Sequence, residues 1–187
     1  MSFRTIFTSI ALFSFVAFGN ATRPTSDKDH NDIQDNTEQY EEYDFPESSS
    51  ELEALFSVTG EEIVETAMKY IGRPYRHGAA GPTVFDCSGF TSFVYKNSNI
   101  SLSRCSRTQY TQGIAVDRKD LTVGDLVFFT SPRSGRAVGH VGIVTKVEAD
   151  GNFHFVHASN SGVKVDNFAA AKYYHHRYIG ARRILDY

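Results

Sequence analysis

What most limits the fold of this chain is a change of period near residue 125. Before it, Ile63, Val64, Ala67, Met68 and Ile71 recur on one helical face, Thr59 and Glu62 have capping-box spacing, and Gly72 supplies a stop. The spacing predicts a first helix over Gly60–Ile71. A second is expected over Cys87–Lys96, from Phe90, Phe93, Val94 and Tyr95, with Asn97-Ser98-Asn99 ending it. A short polar helix around Arg104–Gln112 and a turn-rich connection over Asp117–Gly124 should follow. Beyond that the side chains alternate, and Asp125–Phe129, His140–Val147, Phe153–His157, Val163–Val165 and Tyr178–Leu185 read as strands. Helices first and strands afterwards predict an α+β domain, its N-terminal helices packed on an antiparallel sheet of about five to six strands.

The first third of the chain has a different character. Arg4 precedes an apolar run from Ile6 to Phe18 that is too short for a typical membrane span, and Gly19-Asn20-Ala21 supplies small residues for cleavage. Residues 1–21 therefore read as a signal peptide. A secreted or periplasmic protein is expected, with no transmembrane domain once mature. Residues 22–56 read as an acidic linker or pro-segment, too poor in apolar residues to offset its chain entropy, and residues 57–187 as one folded domain. Residues 1–56 hold three Lys/Arg against eleven Asp/Glu, a charge of −8, whereas the remainder carries +5. A mildly basic body suits an anionic substrate. Nucleic acid is not expected as a partner, because no dense Lys/Arg cluster with interleaved aromatics occurs.

The chemistry gathers at Phe85-Asp86-Cys87-Ser88-Gly89-Phe90. Cys87 follows the Gly- and Pro-rich run Arg73–Pro82 and opens the second predicted helix, where free N–H groups favour a thiolate and can hold an oxyanion. A cysteine nucleophile needs a base, and a third polar group usually holds that base. His140 and His157 lie on neighbouring predicted strands. A two-residue hairpin turn at Asp150-Gly151 would set His157 opposite Val144, so that both histidines share one face while His154 takes the other. A bulge would upset that parity. Gly139 and Gly142 leave room around His140. Cys87 and Cys105 form no CxxC or other metal-ligand pattern, and a zinc site from Cys87, His140 and His157 would have a spacing unlike structural zinc patterns. No cofactor or metal is expected.

Five stretches in this order carry a resemblance. Arg73-Pro74-Tyr75-Arg76-His77-Gly78, the Cys87 segment, Asp120–Phe129, Gly139-His140-Val141-Gly142-Ile143 and Phe155-Val156-His157-Ala158-Ser159 are similar to the successive motifs of the NlpC family of cell-wall cysteine peptidases. The likeness runs from Glu61 to Leu185. It implies a papain-like fold with Cys87 as nucleophile, His140 as general base and His157 as the residue orienting His140. It further implies that Tyr75 helps hold the oxyanion, and that Asp86 and Ser88 recognise the free amine of the substrate. The implied substrates are peptidoglycan stem peptides, cut between D-γ-glutamate and a diamino acid or at a stem cross-link; a monomer is expected. Acyl transfer or amidase chemistry on the same scaffold, or an idle wall-binding module, are the alternatives. Ala79, where relatives often have glycine, and Cys105, where they usually have Thr or Ser, are departures; Cys105 could restrain Cys87 through a disulfide.

Overall fold

The computed structural model describes Ser48 and residues 57–185, which leaves the expected signal peptide and almost all of the acidic segment outside the described residues. Among the described residues no helix is long and apolar enough to cross a membrane. Helix α1 (Gly60–Met68) opens with both halves of the capping box, Glu62 N–H on Thr59 Oγ1 (3.2 Å) and Thr59 N–H on Glu62 Oε2 (2.9 Å). It stops before the expected Ile71. Tyr70 and Ile71 donate three residues back, to Ala67 and Met68, and Gly72, at φ +82°, donates its N–H to the Val163 carbonyl instead.

Helix α2 spans Cys87–Lys96, as the sequence predicts, and the short α3 spans Ser106–Gln109. The strands are β1 (Ile114–Val116), β2 (Leu126–Thr130), β3 (Val138–Val147), β4 (Phe153–Ser159), β5 (Gly162–Asn167) and β6 (Tyr178–Arg183), with α4 (Lys172–His175) before the last. They form one antiparallel sheet in the order β1-β6-β2-β3-β4-β5. Three-residue β1 and single-turn α4 are too short to show a period, so neither was expected. An Arg183–Asp125 pair, Nε on Oδ1 and Nη2 on Oδ2, both 2.8 Å, ties β6 to the start of β2.

The sheet has two covered faces. Helices α1 and α2 pack Ile63, Phe90, Val94 and Tyr95 against Val141, Ile143, Val156 and Ala158. The opposite face buries Phe129, Val144, Phe153, Phe155 and Phe168. Strand alternation puts His140 with Val144, and His157 with Phe155, on this second face, away from the helices. The nucleophile's helix and the histidines therefore lie on opposite faces of one sheet, and the link between them is the start of β3, where the Val141 N–H reaches Cys87. There the β2–β3 register shifts, from Phe129 opposite His140 to Thr130 opposite Val138, and Gly139 is the extra residue.

The hairpin reaches the expected parity by another route. Val147 pairs with Phe153, so the connection is a five-residue loop centred on Asp150 rather than a two-residue turn. An odd loop alone would turn His157 to the helix side. A second irregularity between Val144 and Lys146 reverses that, and Ile143 pairs with Val156, placing His157 level with Gly142 instead of Val144. Only glycine fits at 142, since a Cβ there would lie 2.8 Å from the Phe155 ring and 3.2 Å from the His157 Cβ.

Candidate active site

Asp86 builds the nucleophile side. It caps α2, its Oδ1 accepting the Gly89 N–H (2.7 Å), while Oδ2 accepts the N–H of Gly78 (2.8 Å), a residue at φ +78°. Arg104 closes on the same carboxylate through both terminal nitrogens, Nη1 to Oδ1 and Nη2 to Oδ2, each 2.7 Å, and Nη2 also reaches the Ala79 carbonyl (2.7 Å). Ser88 Oγ donates to the Arg104 carbonyl (2.8 Å) and lies 3.0 Å from Arg104 Nη1. Gly89 is obligatory, because a Cβ would stand 2.1 Å from the Ala79 oxygen and 2.8 Å from Arg104 Nη2. Tyr75 is drawn to Cys87 by its loop: Arg76 N–H donates to the Phe85 carbonyl and Phe85 N–H to the Pro74 carbonyl. Ala79 is buried with its carbonyl in this network, so the missing second glycine leaves the loop undisturbed.

The base side is assembled from three strands. His140 Nε2 lies 2.8 Å from His157 Nδ1, and His157 Nε2 lies 2.9 Å from Asp166 Oδ2 on β5. A carboxylate only accepts, so the His157 proton sits on Nε2 and Nδ1 offers a lone pair. His140 must then donate from Nε2, which leaves its Nδ1 as the free basic nitrogen. The Tyr174 hydroxyl stands 3.5 Å from His157 Nδ1, and its ring stacks on His140 at 5.5 Å. Lys164 Nζ is 2.9 Å from Asp166 Oδ2. His157 is fully buried. His154, expected on the other face, is engaged by Glu148 Oε1 and Asn167 Nδ2, both at 3.0 Å.

Electrostatics correct one expectation. Burial, and next the Asp86 carboxylate, push the Cys87 thiol up to about 11, outweighing the backbone amides of Ser88, Val141 and Cys87 that favour the thiolate. The helix N-terminus alone does not ionise this cysteine. Burial also lowers His140 to about 3, with His157 adding to the effect and Asp166 opposing it. Burial likewise lowers His157, against the pull of Asp166. Both shifts favour thiol and neutral imidazole over the ion pair at neutral pH. Tyr75 is raised, first by burial and then by the Cys87 and Asp86 charges, and so keeps its proton. Asp166 is held down to about 2, chiefly by its bond to His157.

The sequence-predicted residues thus fall into two groups. Tyr75, Asp86, Cys87 and Ser88 line a cavity of about 400 Å³, and Tyr75 and His140 line an adjoining one of about 990 Å³ that shares Tyr75, His77, Cys105, Ser106 and Gly139. The Val141 N–H, one residue beyond His140, reaches Cys87. His157 lies behind His140. Cys105 is exposed on the cleft wall, and both cysteines are free thiols. The sequence reading missed Asp166 and Arg104. Asp166 could have been found by extending strand pairing one strand further, since His157 pairs with Lys164 and Asp166 is the next residue on that face. Nothing local marks Arg104 as the partner of Asp86. Among the described residues no group of three or more His, Cys, Asp or Glu is placed to hold a metal, and in this site the imidazole nitrogens face each other and Asp166.

Comparison with known proteins bears on this geometry. Residues 72–183 match the model of the NlpC/P60 family. A probable endopeptidase p60 of Listeria seeligeri is 43% identical over 105 residues, 56% of this chain but only 18% of that protein. The chain thus spans about a fifth of the length of such curated relatives. Among solved structures, an NlpC/P60 family protein from Bacillus cereus superposes with a TM-score of 0.62 at 30% identity, over 70% of this chain and 41% of that one. The NlpC/P60 domain of the peptidoglycan hydrolase SagA gives 0.56 at 30% identity, over 67% of this chain and 99% of that one. With the family model matching residues 72–183 and the papain-like fold with its antiparallel sheet in agreement, this chain belongs to the NlpC/P60 family.

Proposed function

We propose that the chain is an exported cysteine endopeptidase that hydrolyses an amide bond in peptidoglycan stem peptides, between D-γ-glutamate and a diamino acid. The observation that carries this reading is the polarised line His140–His157–Asp166, which leaves His140 Nδ1 as the basic nitrogen, on the strand whose next residue, Val141, brings its N–H to Cys87. His140 Nδ1 takes the thiol proton as sulfur attacks the carbonyl carbon. The Cys87 N–H and the Tyr75 hydroxyl, which stays protonated, hold the developing oxyanion. His140 then protonates the leaving amine, and a water activated by the same nitrogen hydrolyses the thioester. A burial-destabilised imidazolium would be a poor intermediate alone. The Asp166 charge, relayed through His157, offsets part of that cost.

Two features favour amine recognition at the 400 Å³ end, where Ser88 and the Asp86 carboxylate lie together. Asp86 is neutralised by Arg104, so we assign it first to holding α2 and only secondarily to the substrate amine. The SagA domain, named as part of a peptidoglycan hydrolase, supports the substrate class. The test is digestion of walls of defined chemistry, with fragments identified by mass. Wild-type protein should release fragments ending in glutamate with a free γ-carboxylate and Cys87→Ala none, with unchanged circular dichroism. Equal release by both proteins would sink the reading, whereas transfer to an added amine in preference to water would replace it with acyl transfer.

A further inference from the structure

The carboxylates and guanidiniums of the cleft are unevenly matched. Asp86 is held by Arg104, and Asp166 by His157 and Lys164. The larger cavity is lined by Arg107, Arg133 and Lys164, and by no Asp or Glu. Lys164 is paired with Asp166. Among the described residues, neither Arg107 nor Arg133 pairs with any carboxylate. Two guanidinium groups that no carboxylate of the described residues neutralises therefore border a cavity that includes His140 and Tyr75, in a protein whose family cuts peptides.

Both are tied to the reacting centre. Arg107, on α3, donates from Nε to the Val138 carbonyl (3.3 Å), at the start of the strand that carries His140. Among the described residues its two terminal nitrogens have no carboxylate partner. Val138 and His140 are two residues apart, about 6 Å along a strand. Arg133, in the β2–β3 connection, is close enough for its charge to ease ionisation of the Tyr75 hydroxyl. A planar guanidinium anchored by Nε recognises carboxylate oxygens with its remaining edge.

Resting on the endopeptidase reading above, we propose that Arg107 and Arg133 form a carboxylate-reading site, so that the enzyme selects stems carrying a free carboxylate within about 5–8 Å of the scissile carbonyl. A γ-linked glutamyl residue meets this requirement, because four carbon–carbon bonds, about 5 Å, separate its γ-carbonyl carbon from its α-carboxylate carbon. A side-chain carboxylate of the diamino acid, some 8 Å away, meets it from the other side. Amidation of the acid that is read removes the charge and one acceptor oxygen. Walls whose stems are amidated there become poor substrates.

Titration calorimetry on full-length Cys87→Ala with three synthetic tripeptides separates these sources. One peptide has both acids free, one has the glutamyl α-carboxylate as carboxamide, and one has the diamino side-chain carboxylate as carboxamide. One of the two carboxamides is expected to bind about tenfold more weakly than the diacid, and to identify which acid is read. Adding Arg107→Gln and Arg133→Gln together should shrink that preference to within about twofold, Arg107→Lys should retain part of it, and raising salt should weaken it. Equal binding of all three peptides, no binding of any, or a preference untouched by the arginine changes overturns the proposal. Wild-type turnover keeps the two readings distinguishable. Cleavage of all three peptides at equal kcat/KM removes the carboxylate site and leaves the endopeptidase, while absence of cleavage removes the endopeptidase.

Discussion

The two halves of the cleft use a carboxylate in opposite ways. On the nucleophile side, Asp86 takes two backbone N–H groups and a two-pronged Arg104, so its charge is spent on holding a helix start, a loop and a distant segment together. On the base side, Asp166 sits behind His157 and fixes which nitrogen of each imidazole carries a proton. The first is a brace and the second a polariser. Removing the first should damage the fold, and removing the second should damage the rate.

The brace gives the larger expected effect. Asp86→Ala removes the α2 cap, about 1 kcal/mol, and leaves Arg104 unpaired; because that side chain is 40% exposed, the added penalty stays well below that of a fully buried pair. A total loss of about 2–3 kcal/mol in urea unfolding is expected. The pH dependence has a definite sign. Arg104 and the two N–H groups overcome burial and lower the Asp86 pKa, so its stabilisation is complete above the unfolded value, about 3.9, and is lost as pH falls through the folded value. Asp86→Ala should therefore lose less stability than wild type on acidification below pH 4. An identical acid slope in both proteins would remove Asp86 from the brace.

The same contrast explains how much of the molecule was legible beforehand. The nucleophile side is written locally: Cys87 at a helix start, flanked by Asp86 and Ser88, with Gly89 to admit the Ala79 carbonyl. Helix α2 was readable to the residue for that reason. The base side depends on register. His140 and His157 were assigned to a common face correctly, but through a two-residue turn that is really a five-residue loop, corrected by a bulge near Thr145. Two errors of one residue cancelled. The face itself was not predictable, since period tells which residues share a side and not which side the helices cover. Asp166 and Arg104 stayed hidden because each acts through a contact that crosses between elements.

The polariser gives an effect of intermediate size, visible in rate rather than stability. Asp166→Asn puts an amide against His157 Nε2. Where its NH2 faces that nitrogen, His157 must carry its proton on Nδ1 and donate to His140 Nε2, which moves the His140 proton to Nδ1 and abolishes the base. A fall in kcat of about 30-fold is expected, smaller than for a carboxylate that touches the base directly because His157 intervenes. KM and the melting temperature should hardly move, and Asp166→Glu should recover part of the rate. A matching loss of stability, or a glutamate variant as slow as the asparagine one, would make Asp166 another brace and erase the contrast.

The smallest expected effect tests whether the two sides communicate before substrate arrives. Cys105 is exposed, and its thiol is lowered by the Thr108 and Arg107 backbone amides of α3, while Cys87 is half-buried and raised to about 11. Alkylation follows the thiolate fraction and access. With iodoacetamide at pH 7.5, Cys105 should be modified about tenfold faster than Cys87, read by peptide mass mapping at successive times. In Cys105→Ser, slow alkylation of Cys87 should accelerate as pH rises, without a plateau near neutrality. Faster modification of Cys87 than of Cys105 would mean that His140 already holds its proton. The polarising line from Asp166 would then charge the nucleophile in the free enzyme, and the division of labour between the two carboxylates would be a division within one ion pair.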